Sequence, residues 1–95
     1  MTRIAILTPT LIAADAVSND VLAMQRVLSA RGHEVALFAD NANVTDNEVH
    51  KPHAAKSFLR SRDDVLIYHH SIGWERGLDV LRTASCRKVI LVPAE

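Results

Sequence analysis

The sequence predicts an α/β domain in which a parallel sheet lies between two layers of helices. Four short runs of β-branched and aliphatic residues are spaced along the chain, and segments with one apolar helical face separate them. Strands that are apolar throughout are typical of a sheet that is covered on both faces. The order β-α-β-α-β-α-β therefore indicates parallel strands joined by right-handed crossovers in a three-layer α/β/α sandwich.

The predicted strands are short, and the residues that follow them interrupt regular pairing. Pro9 and Pro93 are expected to end the first and the last strand, because proline lacks the amide hydrogen that a strand donates. The polar segment 40–51 is expected to be an irregular loop, in which Val44 and Val49 support at most a ragged edge element. The four predicted strands cover residues 3–8, 34–39, 64–69 and 88–92.

Three amphipathic helices are predicted at residues 17–31, 53–62 and 74–84. Asp15 or Ser18 can serve as the N-cap of the first helix, and Gly32 is available for a left-handed position just after its end. Pro52 can occupy the first turn of the second helix. Trp74 is expected to pack the third helix against the sheet.

The pattern leaves two strand orders open, 2-1-3-4 and 3-2-1-4. In both orders the connections diverge beside the first strand. An open α/β sheet usually binds its ligand in the crevice outside the carboxyl ends of the strands at such a point. The residues that follow the first and the third strand are therefore the candidates for a site.

The loop after the first strand carries polar residues at the start of the first helix. It contains no glycine, so neither the dinucleotide-binding fingerprint nor a phosphate-binding P-loop is present. Asp15, Ser18, Asn19 and Asp20 can hold an anion or a sugar hydroxyl, although helix capping is the simpler explanation for them.

The third strand ends in the second group of candidates, the sequence YHHSIG at residues 68–73. Successive strand residues point to opposite faces, so only one of His69 and His70 can face the crevice, and we expect no metal site from the pair. One imidazole there can hydrogen-bond a ligand hydroxyl or phosphate. Gly73 allows the backbone to approach such a ligand. A structural role for both histidines is the more common outcome.

Composition excludes several classes of function. Eleven Lys and Arg balance eleven Asp and Glu, so no net charge favours binding to nucleic acid or to an anionic membrane. Cys86 is the single cysteine, which excludes an intrachain disulfide and favours a cytoplasmic location. No apolar run approaches the roughly 20 residues of a membrane-spanning helix.

Three segments carry a resemblance to a known family: residues 15–21 (DAVSNDV), 28–35 (LSARGHEV) and 63–73 (DDVLIYHHSIG). Together they resemble the N-terminal half of the first Rossmann-like domain of a family-four, retaining, nucleotide-sugar-dependent glycosyltransferase with the two-domain GT-B architecture. The third segment is the most specific, through its Tyr-His-x-Ser-Ile-Gly ending. The second segment recurs in many Rossmann-like proteins.

This resemblance implies a Rossmann-like sheet in the order 2-1-3-4 and a role on the acceptor side of the cleft. It implies catalytic roles for His69 and His70, with His69 preferred. The residues it implies for binding the sugar acceptor are Asp15, Ser18, Asn19, Asp20, Ser71 and Gly73.

The resemblance also implies what residues 1–95 lack. In the family, a C-terminal domain binds the nucleotide-sugar with two glutamates seven residues apart, and no such pair occurs here. The family's Tyr-His-Asn-x-Thr-Pro segment after the fourth strand is replaced by residues 93–95 (PAE), and the usual glycines after the first strand are missing. We therefore expect a partial acceptor-side domain that is inactive alone, has no cofactor or metal of its own and lacks the donor-binding domain.

Two other classes of function compete with this expectation. The chain can be a free-standing flavodoxin-like binding module, or an α/β domain that oligomerises through the exposed edge of its sheet. A receiver domain is disfavoured. It needs an acidic cluster after the first strand and an aspartate after the third, where residues 8–10 (TPT) and 69–70 (HH) stand.

Overall fold

The computed structural model describes residues 2–92, which form a five-stranded parallel sheet with helices on both of its faces. β-branched and aliphatic runs form the strands, and the segments with one apolar face form the longer helices. The elements in chain order are β1 (Arg3–Leu11), α1 (Ala16–Ala30), β2 (Glu34–Ala42), β3 (Val49–His50), a 3₁₀ turn (Pro52–Ala54), α2 (Ala55–Phe58), β4 (Val65–His69), α3 (Glu75–Thr83) and β5 (Arg87–Leu91).

The strands lie in the order β3-β2-β1-β4-β5. The four predicted strands correspond to β1, β2, β4 and β5, so the three-layer, Rossmann-like fold and the order 2-1-3-4 are confirmed. The fifth strand, β3, lies in the segment predicted to be irregular, where Val49 pairs with Leu37 and His50 pairs with Phe38. Its two residues are held by packing, since the His50 and Phe38 rings lie 5.5 Å apart.

Alternation along the strands divides the core into two clusters. On one face, Ile6 and Ile67 pack against Val21 of α1. On the other face, Leu66 and Tyr68 pack against Val80 of α3. We call these the α1 face and the α3 face of the sheet. Because both faces bury apolar side chains, the strands read as continuous apolar runs in the sequence.

β1 is longer than residues 3–8, and Pro9 does not end it. The pairing with β2 skips Pro9 and resumes where Thr10 pairs with Asn41. Pairing with β4 stops at Leu7, so Pro9 has a strand on one side only. Proline is tolerated where one side of a strand is unpaired. Pro93, the predicted end of the last strand, lies outside the described residues.

The second helix is much shorter than the predicted 53–62, since only the 3₁₀ turn and the four residues of α2 are helical. Leu59 has an extended backbone, with ψ at 102°. The amides of Arg60 and Ser61 donate to Oδ2 of Asp64, at 2.8 and 2.9 Å. These amides are bound by a side chain rather than by helical carbonyls, which explains the early end of the helix.

Asp64 also fixes the start of β1, because the amide of Arg3 donates to its Oδ1 at 3.1 Å. Burial opposes ionisation of this carboxyl, yet the three amide donors outweigh burial and hold the pKa of Asp64 below its usual value. Arg31 caps α1, and Gly32 follows with φ at +91°, as predicted. Within residues 2–92, no helix is long and apolar enough to cross a membrane.

Candidate functional site

The connections diverge at the carboxyl ends of β1 and β4. After β1 the chain enters α1 and returns in β2, whereas after β4 it enters α3 and returns in β5. The two helices lie on opposite faces of the sheet. This position is the switch point at which open α/β sheets bind ligands, and both predicted groups of site residues border it.

The two histidines at the end of β4 are separated. His69 is two residues beyond Ile67 and shares the α1 face with it. His70 lies past the end of β4 and is exposed, with its ring 6.3 Å from the ring of Tyr68. No group of three or more potential metal-ligating side chains occurs within residues 2–92.

His69 has the most unusual environment among the predicted site residues. Its Nε2 is buried and has no hydrogen-bond partner within residues 2–92. Burial lowers the pKa of the imidazole, and the carboxylate of Asp20 partly offsets this effect. His69 is therefore neutral at pH 7, with one ring nitrogen as donor and the other as acceptor.

Asp15 and Ser18 form a helix cap. Oδ2 of Asp15 accepts hydrogen bonds from both the amide and the hydroxyl of Ser18, each at 3.0 Å. The hydroxyl of Ser18 in turn accepts from the amide of Ile12 at 3.0 Å, and Ser18 is fully buried. Both side chains are hydrogen-bonded within the protein rather than free for a ligand. Their role is therefore to position the start of α1.

Asn19 and Asp20 point to different surroundings. Asn19 lines a shallow pocket of about 230 Å³ beside the loop that follows β2. Asp20 acts on His69. Of the predicted residues in the first loop, Asp20 thus acts on the histidine through its charge, without a hydrogen bond or ion pair within residues 2–92, and Asn19 lies in a separate pocket.

The loop before α1 contains a left-handed residue, Ala14, with φ at +64°. Glycine is the residue favoured in this conformation, so the loop adopts a glycine-like turn without a glycine. The amide of the preceding Ala13 donates to Oδ1 of Asn43 at 2.7 Å, which anchors the loop to the chain after β2.

The turn after β4 contains Ser71, Ile72 and Gly73. The amide of Trp74 donates to the carbonyl of Ser71 at 3.4 Å, and Gly73 has φ at +76°. Gly73 is surrounded by open space, so its backbone conformation rather than crowding requires glycine. Ile72 is 94% exposed at the tip.

The α3 face carries a polar group that the sequence pattern does not reveal. Trp74 Nε1 donates to Oδ2 of Asp40 at 2.5 Å, and Nη1 of Arg76 lies 3.1 Å from Oδ1 of the same carboxylate. The Trp74 ring stacks on Tyr68 with centroids 5.8 Å apart. Asp40 and Trp74 are 34 residues apart, so no short motif marks their contact.

The hydroxyl of Tyr68 is buried beside this group and has no hydrogen-bond partner within residues 2–92. Burial, followed by the charge of Glu75, raises the pKa of Tyr68, so it remains a neutral phenol. A cavity of about 470 Å³ opens next to these residues. It is lined by Asp40, Lys51, Pro52, His53, Glu75, Arg76, Asp79 and Val80.

Comparison with known proteins adds no family to this description of the site. No protein-family model, no curated protein and no solved structure matches the chain. A functional conclusion therefore rests on the placement of the side chains at the switch point and on the resemblance carried by residues 15–21, 28–35 and 63–73.

Proposed function

We propose that this chain forms the acceptor-side part of a nucleotide-sugar-dependent, retaining glycosyltransferase of the GT-B type. The observation that carries the proposal is the unpartnered, buried Nε2 of His69, which lies at the carboxyl end of a central strand near Asp20. A buried polar atom without a partner costs about 1–3 kcal/mol, and a ligand recovers this cost when the His69 side chain turns to bring Nε2 to it.

His69 is the catalytic candidate in this proposal. Its neutral ring can exchange a hydrogen bond with a sugar hydroxyl, and the charge of Asp20 favours the ring as positive charge develops on it. His70, Ser71 and Gly73 border the same edge and are proposed to contact the acceptor. Asn19 lines a separate pocket beside the loop after β2, so we assign it no role at this edge.

Asp15 and Ser18 act indirectly, because their hydrogen bonds fix the first turn of α1 and so the position of Asp20. The nucleotide-sugar donor is proposed to bind mainly to a second Rossmann-like domain outside residues 1–95. Residues 1–95 alone are then expected to bind an acceptor sugar without transferring to it, because catalysis needs groups from both sides of the sugar.

A saccharide titration followed by NMR tests this proposal. Monosaccharides and disaccharides are added to the 95-residue chain, and the amide signals of residues 69–73 and the ring signals of His69 are recorded. We expect shifts confined to this edge, and we expect His69→Gln to abolish them. His33→Gln is the matched control, because His33 precedes β2 at the opposite end of the sheet.

Two outcomes contradict the proposal. Absence of any saccharide-dependent shift contradicts the acceptor-side assignment. Transfer from UDP-glucose or GDP-mannose by residues 1–95 alone contradicts the need for a second domain. A cytoplasmic location belongs to the same proposal, and the unpaired thiol of Cys86 supports it.

A second candidate function is a binding or oligomerising module without enzymatic activity. Among the described residues, no strand pairs with the outer edge of β5, and Val89 and Ile90 on this strand are 44% and 52% exposed. Unprotected edge strands pair with other chains. Light scattering after size-exclusion chromatography tests this candidate. A dimer that Val89→Lys dissociates supports it, and a monomer at all concentrations contradicts it.

A further inference from the structure

The cavity on the α3 face has two walls of different origin. One wall is the segment from Lys51 to His53, which leads into and begins the 3₁₀ turn, and the other is the first two turns of α3, from Glu75 to Val80. Pro52 and Val80, which are both buried, supply apolar lining. At about 470 Å³, the cavity is within the size range of small-molecule sites.

Most charges around this cavity are already paired. The Asp40 carboxylate accepts hydrogen bonds from the indole of Trp74 and the guanidinium of Arg76. Asp79 forms an ion pair with Lys56, at 2.8 Å. These charges compensate one another in part, and the Arg76 and Asp79 side chains remain exposed.

Two charges of opposite sign are left over. Lys51 Nζ contacts only the carbonyl of Asp40, at 2.9 Å, and the carboxylate of Glu75 has no ion-pair partner within residues 2–92. Lys51 belongs to one wall and Glu75 to the other. Beside the exposed imidazole of His53, the cavity thus presents a free cation at Lys51 and a free anion at Glu75, as far as the described part of the chain shows.

We propose that this cavity binds a zwitterionic molecule with an apolar body, the class that contains free amino acids and dipeptides. The ligand's carboxylate pairs with Lys51, its ammonium group pairs with Glu75, and its apolar side chains pack on Pro52 and Val80. A purely anionic ligand would pair with Lys51 and leave Glu75 without a partner. A purely cationic ligand would pair with Glu75 and leave Lys51 without a partner. This site lies on the α3 face and does not depend on the glycosyltransferase proposal.

Calorimetric titration of the 95-residue chain at pH 7 and low salt tests the proposal. The probe is L-leucyl-L-leucine, and the comparison ligands are its N-acetyl derivative, which lacks the cation, and its C-terminal amide, which lacks the anion. We expect the dipeptide to bind and each blocked form to bind about fivefold more weakly, since each loses one charge-assisted contact.

Variants assign each charge to its partner. In Lys51→Gln, the dipeptide and its amide should bind equally, because the partner of the carboxylate is gone. In Glu75→Gln, the dipeptide and its N-acetyl form should bind equally. Arg62→Gln is the control, because Arg62 is exposed and lies outside the cavity.

The titrations of the wild-type chain test the proposal even if a variant fails to fold. Absence of dipeptide binding to the wild-type chain overturns the proposal. Equal binding of the dipeptide and both blocked forms also overturns it, and so does an equal loss of affinity in Arg62→Gln.

Discussion

At the carboxyl edge of the sheet, the Asp40 carboxylate on the α3 face is hydrogen-bonded, whereas Nε2 of His69 on the α1 face and the Tyr68 hydroxyl on the α3 face are buried without a partner within residues 2–92. On the α3 face, the Asp40 carboxylate accepts from Trp74 and Arg76, and the indole that it holds stacks on Tyr68. On the α1 face, the buried Nε2 of His69 has no partner within residues 2–92. At this shared edge, the Asp40 carboxylate has hydrogen-bond donors, whereas the His69 nitrogen has no hydrogen-bond partner in the described part of the chain.

This difference separates groups that build the fold from groups that are open to a ligand. A half-buried carboxylate such as Asp40, which accepts from an indole and a guanidinium, stabilises the packing around it. A buried imidazole nitrogen without a partner lowers stability and gains from any molecule that supplies one. Changes at Asp40 should therefore cost stability, whereas changes at His69 should affect stability less.

The largest effect is expected from Asp40→Ala. This change leaves Trp74 Nε1 buried without an acceptor and removes the partner of Arg76. We expect a loss of about 2–3 kcal/mol in the free energy of unfolding, measured by urea denaturation. Asp46→Ala, at an exposed position in the loop after β2, should change stability by less than about 0.5 kcal/mol. Equal effects of the two changes would contradict a structural role for Asp40.

Gly77→Ala tests the packing beneath the same tryptophan. A methyl group at Gly77 would lie 2.3 Å from a ring carbon of Trp74, and stacking on Tyr68 restricts movement of that ring. We expect a loss of about 2 kcal/mol despite the better helix propensity of alanine. Arg82→Ala at an exposed site of α3 is the control and should be nearly neutral. A neutral Gly77→Ala would show that the ring moves freely.

Ala14→Gly should stabilise the protein. Ala14 has φ at +64°, where a side chain is strained and glycine is not. Relief of this strain should raise the free energy of unfolding by about 1 kcal/mol. The greater entropy that glycine gives the unfolded chain offsets part of this gain. Ala23→Gly within α1 is the control with the opposite expected effect. It should lower the free energy of unfolding by about 1 kcal/mol, because glycine is a poor helix former. Destabilisation by Ala14→Gly would contradict the left-handed conformation.

The smallest effect is a dependence of stability on pH that is due to His69. Burial lowers its pKa in the folded state, so the unfolded chain binds a proton more readily. Stability should fall as the pH drops through the ordinary histidine value of about 6.5, until the folded pKa is reached. His69→Gln should flatten this decline in urea titrations between pH 7.5 and pH 5. An unchanged profile in His69→Gln would contradict the burial of the ring.

Much of the fold could be predicted, because it depends on local pattern. The four apolar runs and the spacing in α1 indicated the layers, and the resemblance favoured the strand order that the structure shows. β3 was anticipated only as a ragged edge element at Val49, because two residues carry no pattern and their pairing with Leu37 and Phe38 is a tertiary contact. The second helix was predicted too long because the amides of residues 60–61 are bound by Asp64, a contact that helix propensity does not register.

The candidate site was predictable where it depends on alternation and less so where it depends on tertiary contacts. Alternation correctly separated His69 from His70, but the burial of Nε2 needs the packed helix. Capping preference anticipated the hydrogen bonds of Asp15 with Ser18. The contact between Asp40 and Trp74 crosses from β2 to the start of α3, so it required the sheet order and the position of the crossover.

The most direct test of the central claim is the side-chain ¹⁵N NMR spectrum of the histidines, recorded with and without an acceptor saccharide. We predict that His69 is neutral at pH 7, and that saccharide shifts its Nε2 resonance while that of His33 stays in place. A His69 ring that is protonated at pH 7, or an Nε2 resonance that no saccharide moves, would contradict the account.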